Sequence, residues 1–340
     1  MMSGLGSGPS GSPPEPILLA QDLSKSYGSR LALRALSFSL EAGRVVGFLG
    51  PNGAGKTTAI RILTTILAPT SGRFVVDGIS SDQPEKIRRK IGVLPEGLGF
   101  PKFSSGLDYL TYFGQLFGRP ASDARRIALD LLGDVGLQNR ADSLIGTFSH
   151  GMRQRLGIAR ALVNDPRVVF LDEPTLGLDP RGQKELLSLI QRIARERNAG
   201  VVLSSHLLSE IEGICDDVVI MNAGQVVAKG TVAEVIGQAR DRGGQRDAVR
   251  VRVPPSSIAA AQRALEGAAS VSQVALSDQV TGWLVIEVAD PGGQPASDDA
   301  LTKNRVLDAL IRAEIPILGF EAAGGRLQDV FLQLTAEAIQ

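Results

Sequence analysis

Short apolar runs alternate with glycine-rich turns and segments of helical period from Ile17 onward. This is the texture of an α/β protein. Val45–Leu49 predicts a buried strand, and a helix is expected from Lys56 to Leu67, stopped near Pro69. Phe74–Asp77 and Ile91–Leu94 predict further strands. Residues 105–163 carry helical periodicity almost throughout, with Ile127, Leu131, Leu132 and Val135 among the apolar positions. Val168–Leu171 predicts another strand, and Arg181–Arg197 an amphipathic helix with Leu186, Leu189, Ile190 and Ile193 on one face. Val201–Ser204 and Val218–Met221 predict strands, and Val226–Lys229 a short edge strand after the turn at Ala223-Gly224.

The texture changes again near residue 238. The stretch Arg240 to Arg246 is polar, charged and glycine-bearing, so residues 238–247 are expected to link two domains. Beyond it, Ala248–Val253 predicts a strand and Ser256 a helix cap, the helix running to about Leu265. Val271–Leu276 and Trp283–Val288 follow as strands, Leu301–Arg312 as a helix and Ile315–Phe320 as a closing strand. A β-α-β-β-α-β order implies a small ferredoxin-like domain over residues 248–340. The first domain is expected over residues 17–237, with a helical part near 100–165. Residues 1–16 are mostly Gly, Ser and Pro and read as a disordered tail.

Composition narrows the function classes. A chain of 340 residues suggests roughly two domains, and 43% hydrophobic residues suffice for a core. Lys+Arg and Asp+Glu are 36 each, which argues against a protein that coats nucleic acid. The one cysteine, Cys215, excludes an internal disulfide, and the two histidines, His150 and His206, exclude a multi-histidine metal site. No run approaches the roughly 18 apolar residues of a membrane span, and the opening residues lack the pattern of a signal peptide.

Gly50-Pro51-Asn52-Gly53-Ala54-Gly55-Lys56-Thr57 fits the phosphate-loop pattern, between an apolar strand and a helix. The glycines let backbone N–H groups converge on phosphate oxygens, and the following helix points its positive end at them. Lys56 is suited to the β/γ charge and the Thr57 hydroxyl to Mg²⁺. Val168–Leu171 runs into Asp172-Glu173. Asp172, at the strand's C-terminal end, fits a metal shell. Glu173, pointing the other way, fits a general base for water.

These motifs, with others in order along residues 17–237, resemble the ATP-binding-cassette (ABC) family. Tyr27, in Leu23-Ser24-Lys25-Ser26-Tyr27-Gly28, resembles the aromatic that stacks on adenine. Phe148-Ser149-His150-Gly151-Met152 resembles the signature before a helix, although the common form is Leu-Ser-Gly-Gly-Gln. Gly177-Leu178-Asp179-Pro180 resembles the loop that crosses the dimer interface, and Ser204-Ser205-His206 the switch histidine. Glu96 stands where a metal-contacting glutamine is usual. The Ser-x-Gly-Met form resembles cassettes of ABC-2-type exporters. So does the closing segment Leu327–Thr335, with Gln328 in place of the usual glutamate.

The resemblance implies a P-loop NTPase cassette: a RecA-like core, an antiparallel β-subdomain and a helical subdomain, with the small α+β domain appended. It implies ATP and Mg²⁺, with Glu173 and His206 catalytic. Tyr27, Gly50, Asn52, Gly53, Gly55, Lys56, Thr57, Thr58, Ser149, Gly151 and Asp179 would bind nucleotide, and Thr57, Glu96 and Asp172 would hold the metal. The expected activity is ATP hydrolysis that energises a separate permease, chiefly for export, from the cytoplasmic face of the membrane. A second cassette, a homodimer partner, would complete each site, and membrane contact would run through the permease alone. Phe100, Phe103, Tyr109, Tyr112 and Phe113 read either as core or as a permease-docking cluster. The alternatives are an importer ATPase with a C-terminal sensing domain, and a cassette ATPase without a permease. Met152 in the signature argues against the importer.

Overall fold

The computed structural model describes residues 15–97, 99–242, 248–268, 271–278, 282–288 and 299–323. The chain divides into two compact units, Met1–Thr231 and Val232–Gln340.

The first unit opens with Leu18–Tyr27 (β1) and Arg30–Leu40 (β2), an antiparallel pair. Neither strand shows a clean two-residue alternation. Register shifts interrupt the pairing between Ala20 and Leu23 and again at Lys25, and Asp22 and Ala35 take positive φ of 51° and 47°. Such bulges move side chains from one face to the other, so the hydrophobic pattern does not announce these strands. Val45–Leu49 (β3) and Lys56–Leu63 (α1) match the expected strand and helix start. The helix ends earlier than Leu67 because Thr64 Oγ1 bonds back to Ile60 O at 2.8 Å and Thr65 turns to φ 62°. Ser71–Val76 (β4), Ile79–Ser80 (β5), Pro84–Arg88 (α2) and Ile91–Leu94 (β6) follow.

The helical part comprises Gly106–Leu116 (α3), Ala121–Asp134 (α4) and His150–Leu162 (α5). Val168–Asp172 (β7), Pro180–Arg197 (α6), Gly200–Ser205 (β8), Leu208–Ile214 (α7), Asp217–Asn222 (β9) and Gln225–Thr231 (β10) complete the unit. Among the described residues these strands form a sheet of order β2-β1-β4-β5 and one of order β10-β9-β3-β8-β7-β6. The second is parallel except for the edge pair β9–β10. Every residue of β3, β7 and β8 is buried, as expected of parallel strands covered on both faces. Helix α6 starts where Asp179 accepts the Gly182 N–H at 3.3 Å and stops at left-handed Asn198, with Arg195 and Arg197 in its last turn. Gly92 of β6 lets α5 come close. A Cβ there would sit 2.1 Å from the Ala161 carbonyl.

The second unit begins with Val232–Arg242 (α8), so helix occupies the start of the segment expected as linker. Ala248–Arg252 (β11), Ile258–Glu266 (α9), Val271–Asp278 (β12), Trp283–Val288 (β13), Asp299–Arg312 (α10) and Gly319–Ala323 (β14) follow in the expected β-α-β-β-α-β order. The antiparallel sheet reads β12-β13-β11-β14. Val249, Val251, Leu284 and Ile286 form its buried face, packed with Ala261, Leu265, Val306 and Leu310. Two expectations shift. Ser256 lies inside a short 3₁₀ turn, and Ser257 at the helix start makes no side-chain cap. The last strand starts at Gly319, because Glu314 turns the chain at φ 54° and Ile315 is spent on the core. Residues 1–14 of the expected tail and the closing segment Leu327–Thr335 lie outside the described residues.

Candidate nucleotide site

The phosphate loop joins the buried end of β3 to α1. Two of its glycines are required by geometry. A Cβ on Gly50 would lie 2.3 Å from the Met221 carbonyl. Gly55, just before α1, takes φ 104° and would place a Cβ 2.9 Å from the Ala32 carbonyl. The loop therefore packs tightly against β9 and β2, while residues 51–58 of the loop and the start of α1 line the cavity. Lys56, only 6% exposed, donates to Gly50 O at 2.6 Å and lies 3.4 Å from Glu173 Oε1.

The two carboxylates at the end of β7 go to different partners, because Asp172 closes the strand and Glu173 leaves it with left-handed backbone. Asp172 is buried and accepts from Ser204 Oγ at 2.6 Å and Thr57 Oγ1 at 3.4 Å. Glu173 turns to φ 49°. Its N–H donates to Ser204 Oγ at 2.9 Å, and its Oε2 lies 2.8 Å from His206 Nδ1. A carboxylate accepts, so Nδ1 carries the proton. Glu173 thus lies between an ammonium and an imidazole, on one wall of a cavity of about 730 Å³. Parallel strands β7 and β8 place both residues, with Asp172 paired beside Ser204.

That cavity brings together Asn52, Gly53, Gly55, Lys56, Thr57, Thr58, Glu96, Glu173 and His206 of the expected residues. Gly50 and Asp172 stand just behind it, through Lys56 and Thr57. Ser149, Gly151 and Asp179 do not join it. They line a second cavity of about 480 Å³ with His150, Met152 and Leu178. Ser149 caps α5 through the Met152 N–H at 3.2 Å. Tyr27 is 48% exposed, with Lys25 Nζ 5.5 Å from its ring centre, and is not among the lining residues. Arg30 and Leu31, from the turn that Tyr27 opens, line the cavity instead.

Sequence reasoning gave no site role to Arg30, Leu31, Ser204 or the turn Asn222–Gly224, all of them at or beside the cavity. They belong to neighbouring strands, so only topology brings them in. The aromatic group divides. Tyr109 is buried against Phe113 at 5.0 Å and Phe100 at 5.5 Å, whereas Phe103 and Tyr112 are exposed. Cys215 is buried, and burial pushes its thiol well above the usual range. Among the described residues no three His, Cys, Asp or Glu side chains form a metal-binding group.

Comparison with known proteins agrees with this geometry. A family profile described as ABC transporter matches residues 33–176. The chain is 42% identical over 212 residues to the bacitracin transport ATP-binding protein BcrA of Bacillus licheniformis, covering 62% of this chain and 68% of that one. It is 32% identical over 316 residues to the daunorubicin/doxorubicin resistance ATP-binding protein DrrA of Streptomyces peucetius, covering 92% and 90%. Among solved structures it resembles cbiO1 from Clostridium perfringens, part of the complex cbiONQ, with TM-score 0.60, 29% identity and coverage of 67% and 95%. It also resembles the dimeric post-hydrolysis cassette MJ0796 bound to ADP and Pi, with TM-score 0.57, 26% identity and coverage of 63% and 98%. With its phosphate loop, paired carboxylates and parallel sheet so arranged, the chain belongs to the ABC transporter family, as an ATP-binding and ATP-hydrolysing subunit.

Proposed function

We propose that the cavity over residues 50–58 takes the phosphates of ATP and that Glu173 and His206 carry the hydrolytic step. One observation carries this reading: Glu173 bridges Lys56 at 3.4 Å and His206 at 2.8 Å on the cavity wall. Lys56 would neutralise the β/γ charge. Glu173 would accept a proton from the attacking water, and His206 would hold the γ-phosphate.

The Thr57 hydroxyl and the Asp172 carboxylate converge at 3.4 Å, and Glu96 lines the same cavity. Hard oxygen donors in this small number suit Mg²⁺, which binds through one or two carboxylates together with substrate phosphates. Thr57, Asp172 and Glu96 would hold it. When bound, Mg²⁺ offsets phosphate charge.

Ser149, Gly151 and Asp179 line a cavity of their own, which supports a reading in which each chain contributes half of two shared sites. A head-to-tail homodimer would join the phosphate loop of one copy to Ser149 and Gly151 of the other. None of the described helices is long and apolar enough to cross a membrane. The names of BcrA, a bacitracin transport ATP-binding protein, and DrrA, a drug resistance ATP-binding protein, support an export role. In this reading a separate permease carries the cargo and the chain works at the cytoplasmic face of the membrane. Exposed Phe103 and Tyr112 suit the permease contact.

The test compares wild type with Glu173→Gln. Wild type is expected to hydrolyse Mg-ATP, and the variant to lose about 10²-fold or more in turnover and to form a dimer with ATP by sedimentation. A variant that turns over like wild type removes Glu173 as the base. A variant that binds ATP and stays monomeric removes the symmetric composite site.

A further inference from the structure

His150 and Leu176 connect the two cavities within a single chain. His150 opens α5 and lines the cavity of Ser149, Gly151 and Asp179. Leu176 lines the phosphate-loop cavity beside Glu173. The His150 Nε2 atom lies 2.8 Å from the Leu176 carbonyl oxygen. A carbonyl oxygen only accepts, so Nε2 carries the proton, in the neutral ring or the imidazolium. The Leu176 N–H in turn donates to Glu173 O at 3.2 Å. Residues 173–176 are therefore one tight turn, with Glu173 at one end and the His150 ring fastened to the other. Gly177 follows at φ 78°, and its Cβ position lies 3.3 Å from His150 Nε2 and 3.5 Å from Cδ2, so the backbone passes close to that edge of the exposed ring. The common signature has glycine where this chain has His150, and glycine has no side chain to make this bond.

We propose that His150 is a positioning residue that couples the chain's two half-sites. This rests on the composite-site reading above. The ring ties the start of α5, which would offer Ser149 and Gly151 to the partner's nucleotide, to the turn that holds Glu173 over the chain's own. A shift of either would be passed to the other through the His150–Leu176 bond and the Leu176–Glu173 bond of the turn.

The test uses the purified full chain and follows ATP hydrolysis across ATP concentration for wild type, His150→Ala and His150→Gln, with a thermal melt of each. His150→Ala is expected to lower kcat about fivefold and flatten the dependence on ATP, with half-saturation held within about twofold and the melt unchanged. His150→Gln, whose amide can donate from a similar position, is expected to regain at least half of the lost kcat. A His150→Ala protein matching wild type in kcat and steepness overturns the proposal, as does a His150→Gln protein as impaired as His150→Ala. The Glu173→Gln sedimentation test separates the two readings. No ATP-driven dimer there defeats the composite site itself. With the dimer formed, the kinetic series bears on His150 alone.

Discussion

Ser204 Oγ donates to Asp172 Oδ1 at 2.6 Å, and the same oxygen accepts the Glu173 N–H at 2.9 Å. One fully buried hydroxyl thus fixes the carboxylate expected at the metal and the turn that aims the expected base. Replacing Ser204 with Val leaves a buried carboxylate short of its strongest neutral donor. The expected cost is about 1.5–3 kcal/mol of stability, the range for a hydrogen bond to a charged group. Ser204→Thr keeps the hydroxyl and is expected to recover most of it. Urea unfolding of the three proteins reads this out. Equal midpoints for wild type and Ser204→Val would show that the hydroxyl carries no such burden.

Lys56→Met tests the ammonium between Gly50 O and Glu173. Charge-assisted hydrogen bonds to phosphate are worth about 1.5–3 kcal/mol, so affinity for ATP is expected to fall roughly 10- to 100-fold. Titration with a fluorescent ATP analogue measures it, and an unchanged Kd would place the phosphates elsewhere.

Gly55→Ala tests the loop's backbone. The substituted residue would be held at φ 104° with its Cβ 2.9 Å from the Ala32 carbonyl. Strain of about 1–3 kcal/mol is expected, with weaker nucleotide binding as the loop shifts to relieve it. A melt and a binding titration matching wild type would mean that the loop is softer than its packing implies.

Asp77 supplies a pH dependence away from the site. The hydrogen bond from Lys90, 2.8 Å away, holds its carboxyl below the usual range against the opposing effect of burial, and the charges of Lys90 and Arg167 add to the lowering. A carboxylate with a depressed folded pKa contributes stability above its unfolded value of about 3.9, lost as pH falls through the folded pKa. Asp77→Asn is therefore expected to cost about 0.5–1 kcal/mol at neutral pH, the scale of a partly exposed ion pair. The gap to wild type should narrow as pH drops from about 5 toward 3. Urea midpoints across that range decide it, and a gap independent of pH would assign the cost to something other than charge.

The sequence was legible where one element carries one signal. β3, β6 and β13 match their expected bounds because each is a short apolar or alternating run between clear breaks. The loop residues from Asn52 to Thr58 come together as expected because they are contiguous. The antiparallel β-subdomain was implied by the family resemblance, but the hydrophobic pattern gave no bounds for β1 and β2, since bulges at Asp22 and Ala35 scramble the alternation. Ser204 carried no signal of its own. Its importance comes from lying beside Asp172 in the parallel pairing of β7 with β8, a fact of topology that no local window contains. Arg30 and Leu31 reach the cavity for the same reason.

The close approach of α5 to β6 has a mechanical consequence. Gly92 leaves no room for a side chain beneath Ala161, and the neighbouring Arg160 holds Val93 O at 3.1 Å and the Tyr109 hydroxyl at 3.3 Å. The C-terminal end of the helix is thus pinned to the strand that leads to Glu96, whereas Ser149 sits at the opposite end. At about 1.5 Å per residue the arm from Ala161 to Ser149 is roughly 18 Å long. A tilt of about 5° at that contact would swing Ser149 by roughly 1.6 Å over that length, enough to make or break a hydrogen bond to phosphate.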